Sequence, residues 1–252
     1  MSRGLDLLRS LAHALLLYGL LFGLGLASVV WNLAAVCLYP VMPVASGRRL
    51  GRKAISVSYR FLWEVAQAVG MMRIDAAALE PLRREAGGLV IAANHPSMLD
   101  ALLIVAWLPR SVCIMKAALM GNVFLGAGAR LARYIRNDSA RGMIRGAVQS
   151  LREGAQLVVF PEGTRTVSPP LNAFLPGATL IAHLAQAPVQ TVIIDTDSPY
   201  LRKGWPIWRP PPIPVVFTLR LGERFAPQAD HAALSSRLEA YFRQELRRSR
   251  VA

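Results

Sequence analysis

Apolar and polar positions divide this chain into two unlike parts. From Ser10 to Gly47, 38 residues pass without an Asp, Glu, Lys or Arg, and the stretch 11–39 is apolar almost throughout. About 20 apolar residues are enough to cross the hydrocarbon core of a bilayer. The run therefore predicts a membrane-inserted or interfacial helical segment, as one spanning helix or a re-entrant pair. Pro40 and Pro43 end it. A secretory signal would also begin with basic residues such as Arg3 and Arg9, but this run is longer than a signal's apolar stretch and has no convincing cleavage site. A buried helix is the third reading.

Beyond residue 47 the pattern changes to short apolar runs alternating with helical periodicity. Strands are predicted at 89–93, 111–115, 134–135, 156–160, 189–194 and 213–221. Helical stretches fall at 96–108, 117–132, 139–153 and 177–185 between them. A last amphipathic helix at 231–250 carries Leu234, Leu238, Tyr241, Phe242 and Leu246 on one side. Six prolines between Pro199 and Pro214 mark a loop. Alternating strands and helices predict an α/β fold, a largely parallel sheet flanked by helices. The domains expected are an anchor over 1–47 and a catalytic or binding domain over 48–252.

Charge adds a partner class. The formal net charge is +14, from 29 Lys+Arg against 15 Asp+Glu, in a chain that is 54% apolar. An excess this large implies an anionic partner, and the hydropathy favours a phospholipid surface over nucleic acid. Arg48, Arg49, Arg52, Lys53 and Arg60 follow the run and outnumber the basic residues before it. The positive-inside rule then places everything after residue 47 in the cytoplasm. Cys37 and Cys113 are too few for a disulfide framework and read as small buried side chains.

Two segments carry candidate chemistry. Asn94-His95-Pro96-Ser97-Met98-Leu99-Asp100 follows a buried strand, where open α/β sheets place ligands. His95 suits a general base for an alcohol, and Asp100 can fix its tautomer and stabilise the imidazolium. On spacing alone, a His and an Asp near a helix start usually serve capping and packing. Ser97 lies on the same turn and fits a cap better than a nucleophile. The second segment, Phe160-Pro161-Glu162-Gly163-Thr164-Arg165, also follows a strand. Gly163 allows close backbone approach, Thr164 can donate a hydroxyl, Arg165 can grip a phosphate, and Glu162 can orient an acceptor hydroxyl or the arginine. An ordinary turn with a solvated arginine is the plain alternative. The loop 200–209 interleaves Trp205 and Trp208 with Arg202, Lys203 and Arg209, a composition found at lipid headgroup level. His183 lies in an apolar helical stretch and reads as a satisfied core residue.

Together the two segments strongly resemble the glycerolipid acyltransferase family, whose typical members are 1-acylglycerol-3-phosphate acyltransferases. The resemblance covers about residues 70–225. It implies transfer of a fatty acyl group from a thioester, acyl-CoA or acyl carrier protein, to a lysophospholipid hydroxyl, with no metal, no cofactor and no covalent acyl-enzyme. It makes His95 the general base and Asp100 its orienting partner. Glu162, Gly163, Thr164 and Arg165 become an acceptor-phosphate site, with Lys116 and Arg136 in suitable places beside it. Backbone N–H groups after Pro96 are the candidate donors to the thioester oxyanion. The chain departs from the family where Phe174-Leu175-Pro176-Gly177 has no Lys. Another lipid acceptor, such as a lyso-aminolipid or a glycolipid or polyene precursor, and a non-catalytic lipid-binding protein are the competing functions. The location implied is a membrane, in a bacterium the inner one, with the active site on the cytoplasmic face.

Overall fold

The computed structural model describes residues 2–251, with side chains described for 11–248. Arg3 and Arg9 lie outside the described side chains. The apolar run forms one continuous helix, α1 (Ser2–Val41), with Pro40 in its last turn. Pro43 stands directly before a second helix, α2 (Val44–Ala68). The elements that follow are β1 (Met72–Asp75), α3 (Glu80–Arg84), β2 (Leu89–Ala93), α4 (Asp100–Trp107), β3 (Ser111–Lys116), α5 (Gly126–Leu131) and β4 (Ile135–Asn137). The chain continues through α6 (Ala140–Arg152), β5 (Gln156–Val159), α7 (Gly177–Ala185), β6 (Val189–Asp195), β7 (Val215–Phe225) and α8 (His231–Val251).

The fold is α/β. Seven strands form one sheet in the order β1-β7-β6-β2-β5-β3-β4, parallel except where β7 runs against β6. Helices cover both faces, which explains why β2 is apolar at every position. Leu89, Ile91 and Ala93 face one layer with Trp63 of α2 and Leu103 and Ile104 of α4. Val90 and Ala92 face the other, with Ala147 and Leu151 of α6, Ile181 of α7 and Leu234 and Leu238 of α8. Because β2 lies between β5 and β6, the chain winds away from it in both directions. The crevice this creates at the carboxyl ends of the strands is where such sheets bind ligands.

Three expectations from the sequence change here. The helix after Pro96 starts only at Asp100, because residues 96–99 form a turn that the Asp100 carboxylate closes through the Ser97 N–H. Three elements, α2, β1 and α3, were not expected at all. Finally, the basic residues after α1 are not a uniform solvent-facing flank. Arg52 is buried and donates through Nε to the carbonyl of Ala132, and its burial pulls the guanidinium pKa down to about 10. Arg48 pairs with Glu153.

Helix α1 is bound to the body of the protein at several levels. Leu17 is buried in the core layer with α2 and α4. Asn32 donates to the carbonyl of Phe124 and accepts from Gly128 N–H. Arg133 lies over the Tyr39 ring and donates to its hydroxyl. Most of its other described side chains are exposed, Cys37 among them. By length and composition, Leu11–Val41 is apolar enough to cross a membrane. Helix α2 crosses α5 closely because position 51 is glycine, where a Cβ would lie 2.6 Å from the backbone nitrogen of Ala132.

Candidate active site

Strand β2 ends at Ala93, and the next two residues fix the site. Asn94 bonds both backbone groups of Ile194 on β6: its Nδ2 donates to the carbonyl at 2.9 Å, and its Oδ1 accepts the N–H at 2.8 Å. His95 follows at the crevice. Its ring is stacked on Phe160 at 4.0 Å between centroids, and its Nδ1 lies 2.8 Å from Asp100 Oδ2. Asp100 has no exposed side-chain surface, whereas His95 keeps 18%.

The tautomer follows from chemistry. The same carboxylate oxygen of Asp100 also accepts the Ser97 N–H at 2.8 Å. An ionised carboxylate only accepts, so the proton of a neutral imidazole sits on Nδ1 and the lone pair on Nε2. Burial pushes the Asp100 carboxyl up to about 6, against the opposing pull of the His95 ring and the Ser97 N–H. Near neutral pH the carboxylate remains mostly ionised and able to stabilise an imidazolium. The geometry is an imidazole held and oriented by a buried carboxylate.

The second segment holds the first in place. The buried Glu162 carboxylate accepts the His95 backbone N–H at 2.9 Å, the Thr166 hydroxyl and the Asn172 N–H. Thr166 N–H in turn donates to the His95 carbonyl at 2.8 Å. Both backbone groups of His95 are therefore clamped by the loop after β5. Glu162 does not stand open to an acceptor, because its lone pairs are already used inside the protein. This corrects its expected contact with a phosphate or a substrate hydroxyl.

The rest of that loop is more open. Gly163 has φ +68°, a conformation that favours glycine, and a Cβ there would meet Leu175 at 2.6 Å. Gly163 and Thr164 are exposed. The N–H groups of Thr164 and Arg165 have no partner among the described residues, so this turn offers free backbone donors. Arg165 spends one nitrogen, Nη1, on the carbonyls of Leu201 and Arg202, and its remaining nitrogens are unpaired among the described residues. It has no carboxylate partner among the described residues. Lys116 ends β3, two strands or about 10 Å across the same sheet edge from β2. Arg136 on β4 is one strand further and faces Asp138 at 3.0 Å, so it is not a free cation.

Backbone donors after Pro96 are not available for an oxyanion. The N–H groups of Ser97, Met98, Leu99 and Asp100 are all engaged, by Asp100, Leu201, the Ser97 hydroxyl and the Ser97 carbonyl. The Ser97 hydroxyl itself donates to the Tyr200 carbonyl and accepts from Leu99 N–H, which excludes a free nucleophile. His183 is not fully satisfied either: its Nδ1 is buried without a partner among the described residues, and its ring lies 6.4 Å from that of His231. Sequence reasoning missed Thr166 and Asn172, whose contributions are a backbone clamp and a loop N–H that no motif spacing announces.

Residues 73–195 match the model of the Acyltransferase family. The chain is 23% identical over 188 residues to a 1-acyl-sn-glycerol-3-phosphate acyltransferase of Pseudomonas aeruginosa, covering 72% of this chain and 71% of that protein. It is 27% identical over 204 residues to the enzyme of that name from Limnanthes alba, covering 76% and 68% of the two chains. The crystal structure of the 1-acyl-sn-glycerophosphate acyltransferase PlsC from Thermotoga maritima superposes with a TM-score of 0.69 at 18% identity, over 97% of this chain and 98% of that one. That likeness shows a shared fold over the whole length, the N-terminal helices included.

Proposed function

The chain belongs to the glycerolipid acyltransferase family and is an acyltransferase, and from that premise we propose that it acylates 1-acylglycerol-3-phosphate to phosphatidic acid with His95 as general base. The observation that carries the mechanism is the His95–Asp100 contact of 2.8 Å on a backbone fixed by Glu162 and Thr166. The acyl donor is a thioester, acyl-CoA or acyl carrier protein. Nε2 of His95 takes the proton of the acceptor's free hydroxyl as its oxygen attacks the thioester carbonyl. Asp100 stabilises the imidazolium that forms. The tetrahedral intermediate collapses by breaking the C–S bond, and the imidazolium returns its proton to the leaving thiolate.

The turn Gly163–Thr164–Arg165 supports an acceptor-phosphate site. Two N–H groups without partners among the described residues, a hydroxyl and a guanidinium with unpaired nitrogens lie on this one turn. Lys116 at the same sheet edge adds charge. Membrane association through α1 brings this site to its lipid substrates, with the domain on the cytoplasmic face. The test is acyl transfer by purified protein, followed by lipid mass spectrometry with 1-acylglycerol-3-phosphate and with lysophosphatidylcholine. Product from the first alone is the expected result. Product from the second alone overturns the phosphate site.

A further inference from the structure

The loop 199–214 has a closed tip built to present apolar groups outward. Trp205 N–H donates to the Arg202 carbonyl, and Arg209 N–H donates to the Pro206 carbonyl. The Trp205 indole donates to the Arg209 carbonyl at 3.0 Å, and the Arg209 guanidinium covers the Trp205 ring at 4.6 Å. Trp205 thus faces inward, packing edge-on against the buried Tyr200. What the closed tip leaves outside is Ile207, 41% exposed, and Trp208, 66% exposed. Exposing a large indole to water at the tip of an otherwise satisfied turn calls for a partner.

Three observations identify that partner's chemistry. The tip is continuous with the apolar helix: the Tyr18 hydroxyl donates to the Trp208 carbonyl at 3.2 Å. On the turns either side of Tyr18, Leu15 and Phe22 are 71% and 74% exposed, so exposed apolar side chains flank the point where α1 meets the loop. The tip is also flanked by Arg202, Lys203 and Arg209, all exposed and none paired with a carboxylate among the described residues; Asp197 is the one exposed acid of the same connection. An apolar point ringed by unpaired cations suits an anionic lipid interface, where indole and guanidinium groups both partition favourably.

We propose that the 205–209 tip is a second membrane-docking element, inserting Ile207 and Trp208 into an anionic phospholipid surface beside α1. Its inner edge bears on the candidate active site. Tyr200 and Leu201 accept from Ser97 and Met98, and Leu201 and Arg202 accept from Arg165. Docking the tip therefore fixes the side of the crevice from which a lipid acceptor enters. This last point rests on the acyltransferase mechanism above; the docking itself does not.

An environment-sensitive NBD label on Ile207→Cys, in full-length Cys37→Ala protein, reads docking without any substrate. The same chain without the added cysteine supplies the background from Cys113. On vesicles containing phosphatidylglycerol the emission should shift to the blue and rise. The same label on Arg84→Cys, a remote and exposed position, should stay at its aqueous wavelength. Aqueous emission from position 207 while the protein co-floats with the vesicles overturns the proposal, as does an equal shift at both positions. A shift that grows with protein concentration before vesicles are added would assign the tip to a second copy of the chain. As a separate readout, Ile207→Ser/Trp208→Ser should raise the vesicle concentration needed for half-maximal rate and leave turnover of detergent-dispersed acceptor unchanged. Loss of both rates would make the loop part of the catalytic fold instead.

Discussion

Replacing Asp100 by asparagine separates stability from catalysis at one buried carboxylate. Oδ1 of the new side chain takes the place of Oδ2, because the Ser97 N–H and the His95 Nδ1–H both need an acceptor there. The amide nitrogen then falls where Asp100 Oδ1 is buried without a partner. An unmet donor in that place costs about 1–3 kcal/mol at any pH. The carboxylate it replaces has a cost that depends on pH. Burial raises the Asp100 pKa from 3.8 to about 6, which corresponds to about 3 kcal/mol against the ionised form in the fold. That cost is complete above about pH 6, shrinks as the folded chain takes up the proton, and is gone below about pH 4, where both states are protonated. The stability of Asp100→Asn relative to wild type should therefore improve by up to about 3 kcal/mol between about pH 4 and pH 8. Turnover should fall about 10²–10⁴-fold above about pH 6, where the wild-type carboxylate is ionised, because the imidazolium loses its counter-charge. Chemical unfolding in detergent at several pH values, with kcat/KM measured on the same samples, gives both numbers. A stability difference that does not change with pH would refute the buried-ion account. Undiminished kcat/KM would remove Asp100 from the mechanism.

Four further outcomes are expected. His95→Ala should lose about 10²–10⁴-fold in kcat and keep its fold, since the clamp uses backbone groups, with a lowered melting temperature because Asp100 loses a hydrogen-bond partner and Phe160 its stacked ring; near-normal turnover would end the general-base assignment. Glu162→Gln should lower both stability and kcat, by about 1.5–3 kcal/mol in stability for the charge-assisted bonds lost, and should change the acceptor KM little, a split that steady-state kinetics measures. Arg165→Ala should raise the acceptor KM more than the donor KM, and hydrogen exchange should quicken at Trp205 and its neighbours as the loop loses the Arg165 contacts. Gly51→Ala should destabilise, although in an ordinary helix interior the same change gains about 0.5–1 kcal/mol, because the new methyl meets the Ala132 backbone; a raised melting temperature would disprove the close crossing.

What the sequence made legible is what local pattern controls. Strands such as β2 and β6 are continuous apolar runs with short punctuation, and α6 begins at a serine that caps it through the Gly142 N–H. The His95 and Glu162 segments stand out because each polar cluster follows a buried strand. Helix α2 was hidden because its basic residues read as the flank of a membrane segment, and only its packing shows Arg52 to be interior. Strand β1 has four residues and takes its register from β7, about 140 residues later, so nothing local marks it. Glu162 was read as a ligand because a carboxylate in a glycine turn looks available. The donors that occupy it, at His95, Thr166 and Asn172, are assembled only by the fold.

The clamp between the two segments has a consequence for how such a chain can diverge. His95 and Glu162 are 67 positions apart in sequence, yet they follow strands that are direct neighbours, β2 and β5. Everything between them, from α4 through β3, α5 and β4 to α6, leaves the sheet centre and returns to it. That excursion can lengthen, shorten or exchange residues at its outer edge, where Lys116 and Arg136 lie, without moving the imidazole. The charge at that outer edge is thus set apart from the imidazole, whereas Arg165 shares one loop with the clamp residues Glu162 and Thr166. A graft confined to residues 116–139 would exchange the outer-edge charge and leave both the imidazole and the Arg165 turn in place.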